Sequence, residues 1–277
     1  MAPDVLSLRY QYEADRDHRN YIQISHNERS YECAPHFHYC CEFMYVYQGT
    51  IRLTIDNESY ELHEGQLAII PSYSMHALTI DEGSFRWLVM IPREMLGSLS
   101  RQLDDQTFAR LILDDDEERT LLSQIMFLRH AVLRCGVFRN IENDSAEHNM
   151  LISQQAAAFV SMLISIDGLS PISRASLLIT DLLKYIHSHF REDIRIPELA
   201  KHLLCTQQHL SGRFRDSFGM TITAYINHIR AIDVYWSLQD NPAMTLEEAA
   251  ALAGFGSVRS MLRAYKAEYG CTPTANR

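Results

Sequence analysis

The residues most suited to chemistry stand early in the chain, in the stretch HFHYCCEFMYVYQG at positions 36–49. It contains His36 and His38 with one residue between them, and Glu42 four residues further on. Imidazole groups with an oxygen ligand suit divalent transition metals such as Fe, Ni, Mn and Zn. The same groups also hydrogen-bond the polar atoms of a small molecule. The pattern therefore leaves two alternatives open: a metal centre that performs chemistry, or a pocket that senses a ligand.

Geometry sets a condition on this set of side chains. On one strand His36 and His38 face the same side, but a straight strand would carry Glu42 roughly 13 Å beyond His38. A turn or bulge around Cys40 must fold Glu42 back. A second stretch, GQLAIIPSYSMH, ends in His76, which must arrive from a different strand. We expect His36, His38, Glu42 and His76 to converge as an effector pocket, with a divalent transition metal as an alternative occupant.

Cys40 and Cys41 lie inside the first stretch and allow two interpretations. Thiols beside histidines can have a lowered pKa and act as redox switches. Adjacent cysteines on a strand, however, face opposite sides, which favours a packing role. The six cysteines of the chain include no CxxC pair, a pattern typical of reduced thiols in a cytosolic protein.

Length and charge bound the class of protein. A chain of 277 residues is long enough for about two domains. Its net charge of −10 is unevenly divided, since residues 1–174 sum to −11 and residues 175–277 to +1. Neither part is basic enough to indicate nucleic-acid binding by charge alone. The N-terminus has no apolar signal-like segment and no uninterrupted apolar run is long enough to span a membrane, so we expect a cytoplasmic protein.

The pattern of residues changes twice along the chain. Residues 1–92 contain short runs rich in Val, Ile, Tyr and Phe between turn residues, which indicates an antiparallel β-sandwich or small barrel. Residues 93–168 repeat apolar residues every three or four positions and are predicted to form helices that dimerise or relay a signal. A segment rich in Gly, Pro and Ser, 169–176, is the predicted linker. Residues 177–277 are predicted to be entirely helical.

The C-terminal segment predicts two helix-turn-helix units, at about residues 196–219 and 245–270, joined by one long helix. Thr206 is a predicted N-cap and Gly219 a predicted C-terminal stop. Thr245 and Glu248 have the spacing of a capping box. The second helix of each unit should present side chains to DNA. These are Gln207, Gln208, Ser211 and Arg215 in the first unit, and Ser257, Arg259, Ser260, Arg263 and Lys266 in the second.

The first unit carries a glycine, Gly212, in the middle of its second helix. A mid-helix glycine costs about 1 kcal/mol relative to alanine, and it offers no side chain to a base. We therefore predict that base reading depends mainly on the second unit and on dimerisation.

The motifs at the two ends of the chain resemble the patterns of two known families. The C-terminal segment resembles the AraC/XylS family of bacterial transcription regulators. The matching residues are Gly254, Phe255, Ser257, Arg263, Lys266, Gly270, Thr272, Pro273 and Arg277, with Met261 and Tyr265 in place of two phenylalanines. The histidine stretch with Gly49, followed by Gly65, Pro71 and His76, resembles the two halves of the cupin signature, with Tyr73 in place of the glycine of the second half.

These resemblances imply an α+β multidomain protein, in which an N-terminal antiparallel cupin-like β-barrel with a helical extension precedes an all-α double helix-turn-helix domain. They imply a ligand-responsive, non-enzymatic regulator of carbohydrate or small-molecule metabolism genes. Its expected partners are promoter double-stranded DNA, a sugar-like effector, a second copy of the chain and, for an activator, RNA polymerase. Two alternatives stay open: a metal-dependent cupin enzyme with a helical appendage, and a regulator that senses metal or redox state.

Overall fold

The computed structural model describes residues 11–12, 21–27, 30–56, 58–134, 146–172 and 174–275. The chain divides into two compact units, one of which is Tyr10–Ile172 while the other includes Ser173–Arg277. The division falls inside the predicted linker, but that linker was predicted too long. Leu169–Pro171 form a strand, β12, and a helix begins at Arg174. A strand this short, paired with a distant partner, leaves no local periodicity to recognise.

The first unit contains the predicted antiparallel, sheet-rich region, in which the strand Gln11–Tyr12 alone of the described strands pairs parallel, with the strand Tyr31–Phe37. In the described part of the chain its strands up to residue 91 are β1 (Gln11–Tyr12), β2 (Gln23–Asn27), β3 (Tyr31–Phe37), β4 (Cys41–Gln48), β5 (Thr50–Ile55), β6 (Glu58–His63), β7 (Gln66–Ile70), β8 (His76–Ile80) and β9 (Phe85–Ile91). With β11 (Ile112–Asp114) they form two five-stranded sheets, ordered β1-β3-β8-β5-β6 and β11-β7-β4-β9-β2. The described strands thus pair as two separate sheets and not as one closed hydrogen-bonded ring.

Strand β4 is buried on both faces because its sheet is the middle layer of this unit. Alternate residues such as Met44 and Val46 pack against the opposite sheet, where they meet Ile51 and Leu53. The residues between them point the other way, since successive side chains of a strand face opposite sides. These are Cys41, Phe43 and Tyr45, which pack against the helices that follow the strands.

Residues 93–168 are mainly helical. They contain a 3₁₀ turn (Arg93–Leu96) and the helices α1 (Ser98–Gln102), α2 (Thr120–Arg134) and α3 (Ala146–Asp167). They also contain two strands that were not predicted, β10 (Gln106–Phe108) and β11, which pair antiparallel with β12 and β7. Strands of three residues are too short to show a period of two, so this part of the prediction was wrong.

Helix α3 is long and apolar enough to cross a membrane by length and composition, over Met150–Asp167 with a mean hydropathy of 1.4. One face of the helix nevertheless packs into the core of the first unit. The residues of that face are Ile152, Ala156, Phe159, Val160 and Leu163. Core packing therefore accounts for the apolar residues of that face.

The described part of the second unit consists of helices, as predicted. They are α4 (Arg174–His189), α5 (Ile196–His202), α6 (Gln207–Phe218), α7 (Ile222–Asp240), α8 (Leu246–Leu252) and α9 (Val258–Tyr269), followed by a 3₁₀ turn at Pro273–Ala275. Helices α5 and α6 form the first helix-turn-helix unit, α8 and α9 form the second, and α7 connects them.

The predicted helix ends are confirmed. Thr206 caps α6 by accepting a hydrogen bond from the His209 N–H at 3.2 Å, and Gly219 ends that helix with φ of 68°. Thr245 and Glu248 form a complete capping box at the start of α8, with hydrogen bonds of 2.8 and 3.2 Å. These local signals fix where each recognition unit begins and ends.

Candidate functional site

A bend and a β-bulge bring the four predicted pocket residues together. Strand β3 ends at Phe37, the chain bends before β4 begins at Cys41, and Glu42 is thereby carried back toward the histidines. His36 lies opposite His76, the first residue of β8. The pairing register shifts by one residue between Cys33 and His36, which is the signature of a bulge. The expected turn and the arrival of His76 from another strand are thus both observed.

The resulting cluster is small and closed to solvent. One possible ligand atom from each of His36, His38, Glu42 and His76 lies within 4.8 Å of the other three. All four side chains are at most 2 % exposed. Buried polar groups of this kind need partners, because their desolvation is costly when it is not compensated.

Each histidine of the cluster has Nδ1 within hydrogen-bonding distance of a backbone carbonyl oxygen two residues away. The pairs are His36 with Ala34 (2.9 Å), His38 with Cys40 (3.1 Å) and His76 with Ser74 (3.0 Å). A carbonyl oxygen can only accept, so these contacts favour a proton on Nδ1 of each ring. In that tautomer Nε2 carries the lone pair and is available to bind a cation.

Glu42 lies at the centre of the cluster. Its Oε2 is 3.0 Å from Nε2 of His38 and 3.5 Å from Nε2 of His76. Burial by itself raises the pKa of Glu42, but the two imidazoles hold that pKa well below its usual range. A carboxylate oxygen and an unprotonated ring nitrogen are both acceptors, so their close approach needs a cation between them, either a proton on the ring or a metal ion. The donor set therefore fits a divalent transition metal.

Cys33 contacts this cluster and was not predicted to do so. Its Sγ lies 3.3 Å from Nδ1 of His36, and the side chain is 8 % exposed. Three residues apart on a regular strand, the two side chains would face opposite sides, but the bulge between them brings both to the interior. No signal in the sequence reveals the bulge, so the sequence could not place this thiol beside His36.

Cys40 and Cys41 are both buried and face different layers of the core. Burial raises the pKa of the Cys41 thiol, with the charge of Arg93 opposing that rise. A buried thiol with a raised pKa is poorly nucleophilic. The packing interpretation of this pair is therefore favoured over the redox-switch interpretation.

Tyr73 occupies the position where the cupin signature has a glycine. It has a positive φ of 63°, and its backbone N–H donates to the carbonyl oxygen of His38 at 2.8 Å. A left-handed backbone costs a side-chain-bearing residue of order 1–3 kcal/mol, which explains the glycine of the signature. The centre of the Tyr73 ring lies 5.2 Å from that of Tyr39. The strained backbone of Tyr73 thus places its ring against another aromatic ring near the pocket.

Helix α9 presents a row of cations on its exposed face. Met261 and Tyr265 are buried, whereas Arg259, Arg263 and Lys266 are exposed at a spacing of four and three residues. Within the described residues, none of these three cations has a carboxylate partner. An unpaired cationic row on a recognition helix suits phosphates and the acceptor edge of guanine.

Ser257 and Ser260, also predicted to contact DNA, hold the start of α9. Oγ of Ser257 accepts a hydrogen bond from the N–H of Ser260 at 3.2 Å, and Oγ of Ser260 donates to the carbonyl oxygen of Ser257 at 2.7 Å. A serine before a helix is an ordinary N-cap signal, so this role was readable from the sequence. Ser257 is exposed and Ser260 is half-buried.

Helix α6 presents a different surface. Leu210, Phe214 and Phe218 are buried, and Gly212 lies nearly opposite them at 3.6 residues per turn. The predicted contacts Gln207, Gln208 and Arg215 are exposed, and Ser211 is half-buried. Three further exposed polar residues were not singled out in the sequence, namely His209, Arg213 and Asp216.

Comparison with known proteins places both units in families. Residues 199–277 match a helix-turn-helix domain family and residues 26–91 match the cupin domain family. The Msm operon regulatory protein of Streptococcus mutans is 22 % identical over 259 residues, covering 90 % of this chain and 88 % of that protein. The transcriptional activator RhaR of Escherichia coli O139:H28 is 19 % identical over 250 residues, covering 87 % and 86 %.

A solved structure shows the same fold over nearly the whole chain. The apo form of the ToxT K231A variant from Vibrio cholerae superposes with a TM-score of 0.50 at 16 % identity, covering 92 % of this chain and 96 % of that one. That coverage takes in both the sheet-rich N-terminal region and the helical C-terminal region described above. With a cupin domain followed by a double helix-turn-helix domain, the chain has the domain organisation of transcriptional regulators of the AraC/XylS family and is similar to them over most of its length.

Proposed function

We propose that this regulator binds promoter DNA in a sequence-specific manner and that occupancy of the buried His/Glu cluster controls the binding. The observation that carries the DNA-binding part is the row of Arg259, Arg263 and Lys266 on the exposed face of α9. On a recognition helix in the major groove, an arginine can pair with guanine O6 and N7, while lysine neutralises phosphate. Helix α6 contributes fewer contacts, mainly through Gln208 and Arg215.

The cluster of His36, His38, Glu42 and His76 is the proposed effector pocket. Its imidazole and carboxylate groups suit a small ligand whose hydroxyl groups need hydrogen-bond partners, such as a sugar-like molecule. A bound divalent ion would supply the positive charge that the cluster needs and open coordination positions for such oxygens. With either occupant, the carboxylate of Glu42 supplies the acceptor oxygens. The hydrogen bonds from the Nδ1 atoms to backbone carbonyl oxygens keep the three rings in fixed orientations.

A metal-responsive regulator is a second candidate, favoured by the contact between His38 Nε2 and Glu42 Oε2. Titration calorimetry with Zn²⁺, Mn²⁺, Ni²⁺ and Fe²⁺ tests it. Stoichiometric binding that is lost in the His36→Ala, His76→Ala double variant, together with a metal-dependent change in DNA affinity, supports this candidate. Binding of sugars with no effect of any metal supports the small-molecule effector.

Control of transcription requires only that the effector bind one arrangement of the protein better than another. We propose activation through contact with RNA polymerase at genes of carbohydrate or small-molecule metabolism, in the cytoplasm. A relative over most of the chain is named as a transcriptional activator. Transcription in vitro with purified polymerase, with and without the regulator, shows whether the regulator activates or represses.

A second copy of the chain is the proposed partner of α2 and α3. Large apolar side chains are exposed there, including Phe127 (57 %) and Met150 (62 %). Exposed apolar patches on soluble proteins often mark interfaces. Sedimentation should show a dimer that Phe127→Glu weakens, whereas Leu252→Glu, at an exposed leucine of the second unit, should leave it intact.

The function as a whole is tested by selecting genomic DNA fragments with the purified protein. We expect enrichment of a few upstream fragments and a change in their affinity when the effector is present. Failure to enrich any fragment, combined with tight stoichiometric metal and turnover of a small substrate, would instead establish the metal-dependent cupin enzyme. The genes beside the enriched fragments would indicate the class of effector.

A further inference from the structure

The segment that connects α4 to the first helix-turn-helix unit is tied to α7. The guanidinium of Arg230, near the middle of α7, donates from Nε to the carbonyl oxygen of Phe190 at 2.5 Å and from a terminal nitrogen to that of Glu192 at 2.6 Å. Both acceptors are backbone atoms of residues 190–192, which we call the brace. The side chain of Arg230 thus fixes the path of the brace along α7.

A second tie joins the same two elements. Arg191 makes a two-pronged ion pair with Asp233, with Nε to Oδ2 at 3.1 Å and a terminal nitrogen to Oδ1 at 2.6 Å. Asp233 lies inside α7 and is 3 % exposed. A buried carboxylate is strongly unfavourable without a partner, and a two-pronged guanidinium pair also fixes orientation. The brace is therefore held by both its backbone and its side chain.

The brace also touches the second helix-turn-helix unit. Gly254 is in the turn between α8 and α9, with φ of 80°. A Cβ at this position would lie 2.3 Å from the carbonyl oxygen of Arg191, so only glycine allows the approach. The guanidinium of Arg230 also lies 5.9 Å from the ring centre of Phe255, the next residue. One short stretch of backbone therefore contacts the turn that leads into α9.

We propose that the brace sets the separation and angle between α6 and α9, and with them the base-pair spacing of the DNA that the protein accepts. The peptide that leaves the brace enters α5 at Ile196 and so leads directly into the first unit. On its other side the brace packs on the turn before α9. Arg191, Asp233 and Arg230 are positioning residues in this account, since they act through the orientation of the two helices. The proposal rests on the proposed function, because it requires both helices to contact one DNA duplex.

The test compares DNA duplexes of altered spacing with the full-length protein. A duplex selected from a random library by the wild-type protein is footprinted, and one base pair is then inserted or removed between the two protected segments. A third duplex keeps only one segment. The variants are Arg191→Gln, Asp233→Asn and the double variant, in which two amides replace the ion pair and no buried charge is left unpaired. Circular dichroism and thermal melting confirm that each variant is folded.

Arg195→Gln is the matched control, since it is the same change four residues along the same loop. Arg195 is exposed, and among the described residues its ion pairs are local, with Asp193 at 3.1 Å and Glu198 at 3.6 Å. The wild-type and Arg195→Gln proteins should lose about tenfold or more in affinity when one base pair is added or removed, because that step rotates one segment relative to the other. Loosening the brace should reduce this loss to about threefold or less, while affinity for the single segment changes by less than about twofold.

Two results would overturn the proposal while leaving DNA binding in place. One is an unchanged spacing preference in a folded brace variant, and the other is a wild-type footprint confined to a single segment. A wild-type protein that selects no DNA would instead overturn the proposed function. If Arg191→Gln or Asp233→Asn alone fails to fold, the spacing preference of the double variant decides.

Discussion

The two helix-turn-helix units share a framework. Each turns through a residue with positive φ, Leu204 (53°) in the first unit and Gly254 (80°) in the second. The N–H of each turn residue donates to the carbonyl oxygen three residues earlier at 3.1 Å. Each unit ends at a left-handed glycine, Gly219 or Gly270. The same local chemistry thus builds both units.

Their exposed faces differ. Helix α9 carries Arg259, Arg263 and Lys266 in one row, whereas the corresponding face of α6 centres on Gly212 and includes Asp216 beside Arg215. The helix caps, the turn and the buried side chains of each helix determine whether a helix-turn-helix unit forms. The exposed residues determine what that unit can bind. One fold can therefore be repeated in a chain with different exposed residues, and we expect the strength of DNA contact to differ accordingly.

The largest effect is expected from the turn residues, and with opposite signs in the two units. Gly254→Ala should lower the free energy of unfolding by more than about 3 kcal/mol, because the backbone is left-handed and the new Cβ would meet the Arg191 carbonyl. Leu204→Gly should raise it by about 1 kcal/mol, since this leucine has a positive φ and is 94 % exposed. Urea titrations followed by Trp236 fluorescence in a Trp87→Phe background report on the second unit. Equal effects of both changes would contradict the assignment of the two turns.

Removing one arginine from each exposed face tests the inequality between α6 and α9. Arg263→Ala should weaken binding to the selected duplex by about 1–3 kcal/mol if it contacts a base, and Arg215→Ala by less than about 0.5 kcal/mol. A phosphate contact would instead weaken all sequences alike and lower the salt slope by about one. Fluorescence anisotropy at several salt concentrations measures both. A larger loss for Arg215→Ala would reverse the comparison.

Placing a cation at the position of Gly212 should make the exposed face of α6 more like that of α9. Gly212→Arg should stabilise the helix by about 1 kcal/mol and steepen the salt dependence of DNA binding by about one phosphate contact. A side chain has room, since nothing lies within 4 Å of a Cβ at this position. Gly212→Ala is the control, because it stabilises the helix without adding charge. Equal salt slopes for the two variants would show that this face does not approach DNA.

The smallest difference between the two units is expected from their caps. Thr206→Ala and Thr245→Ala should each cost about 1 kcal/mol, with the larger loss at Thr245 because it belongs to a two-way capping box. Hydrogen bonds from Thr245 lower the pKa of Glu248. The contribution of these bonds is therefore present above the ordinary pKa of 4.5 and is lost as the pH falls through the lower folded-state value. The same urea titrations at pH 7 and pH 4 should show the difference between the two variants shrinking in acid.

Features that depend on neighbours within three or four residues were predictable from the sequence. The caps at Thr206 and Thr245 and the stop at Gly219 are of this kind. The convergence of the pocket was also predictable, because a straight strand would have separated Glu42 from His38 and only a bend could satisfy the resemblance. Assignment of the pocket and the DNA-contact residues to their roles stays a prediction.

Features that depend on long-range pairing were not predictable. The contact between Arg191 and Asp233 spans 42 residues, and neither position has a local signal. Gly254 matches the family pattern, but what requires a glycine there is the backbone of Arg191. Cys33 reaches His36 only through a bulge. In each case the contact depends on another part of the chain, and the local sequence pattern does not show that this part comes close.

The inequality between α6 and α9 is best measured by letting the wild-type, Arg215→Ala and Arg263→Ala proteins each select bound sequences from random duplex DNA. We expect the wild-type protein to enrich a defined sequence, Arg215→Ala to enrich the same one, and Arg263→Ala to lose the preference at one or two positions. The contrary result is a wild-type protein that enriches nothing, or a preference that Arg215→Ala loses and Arg263→Ala keeps.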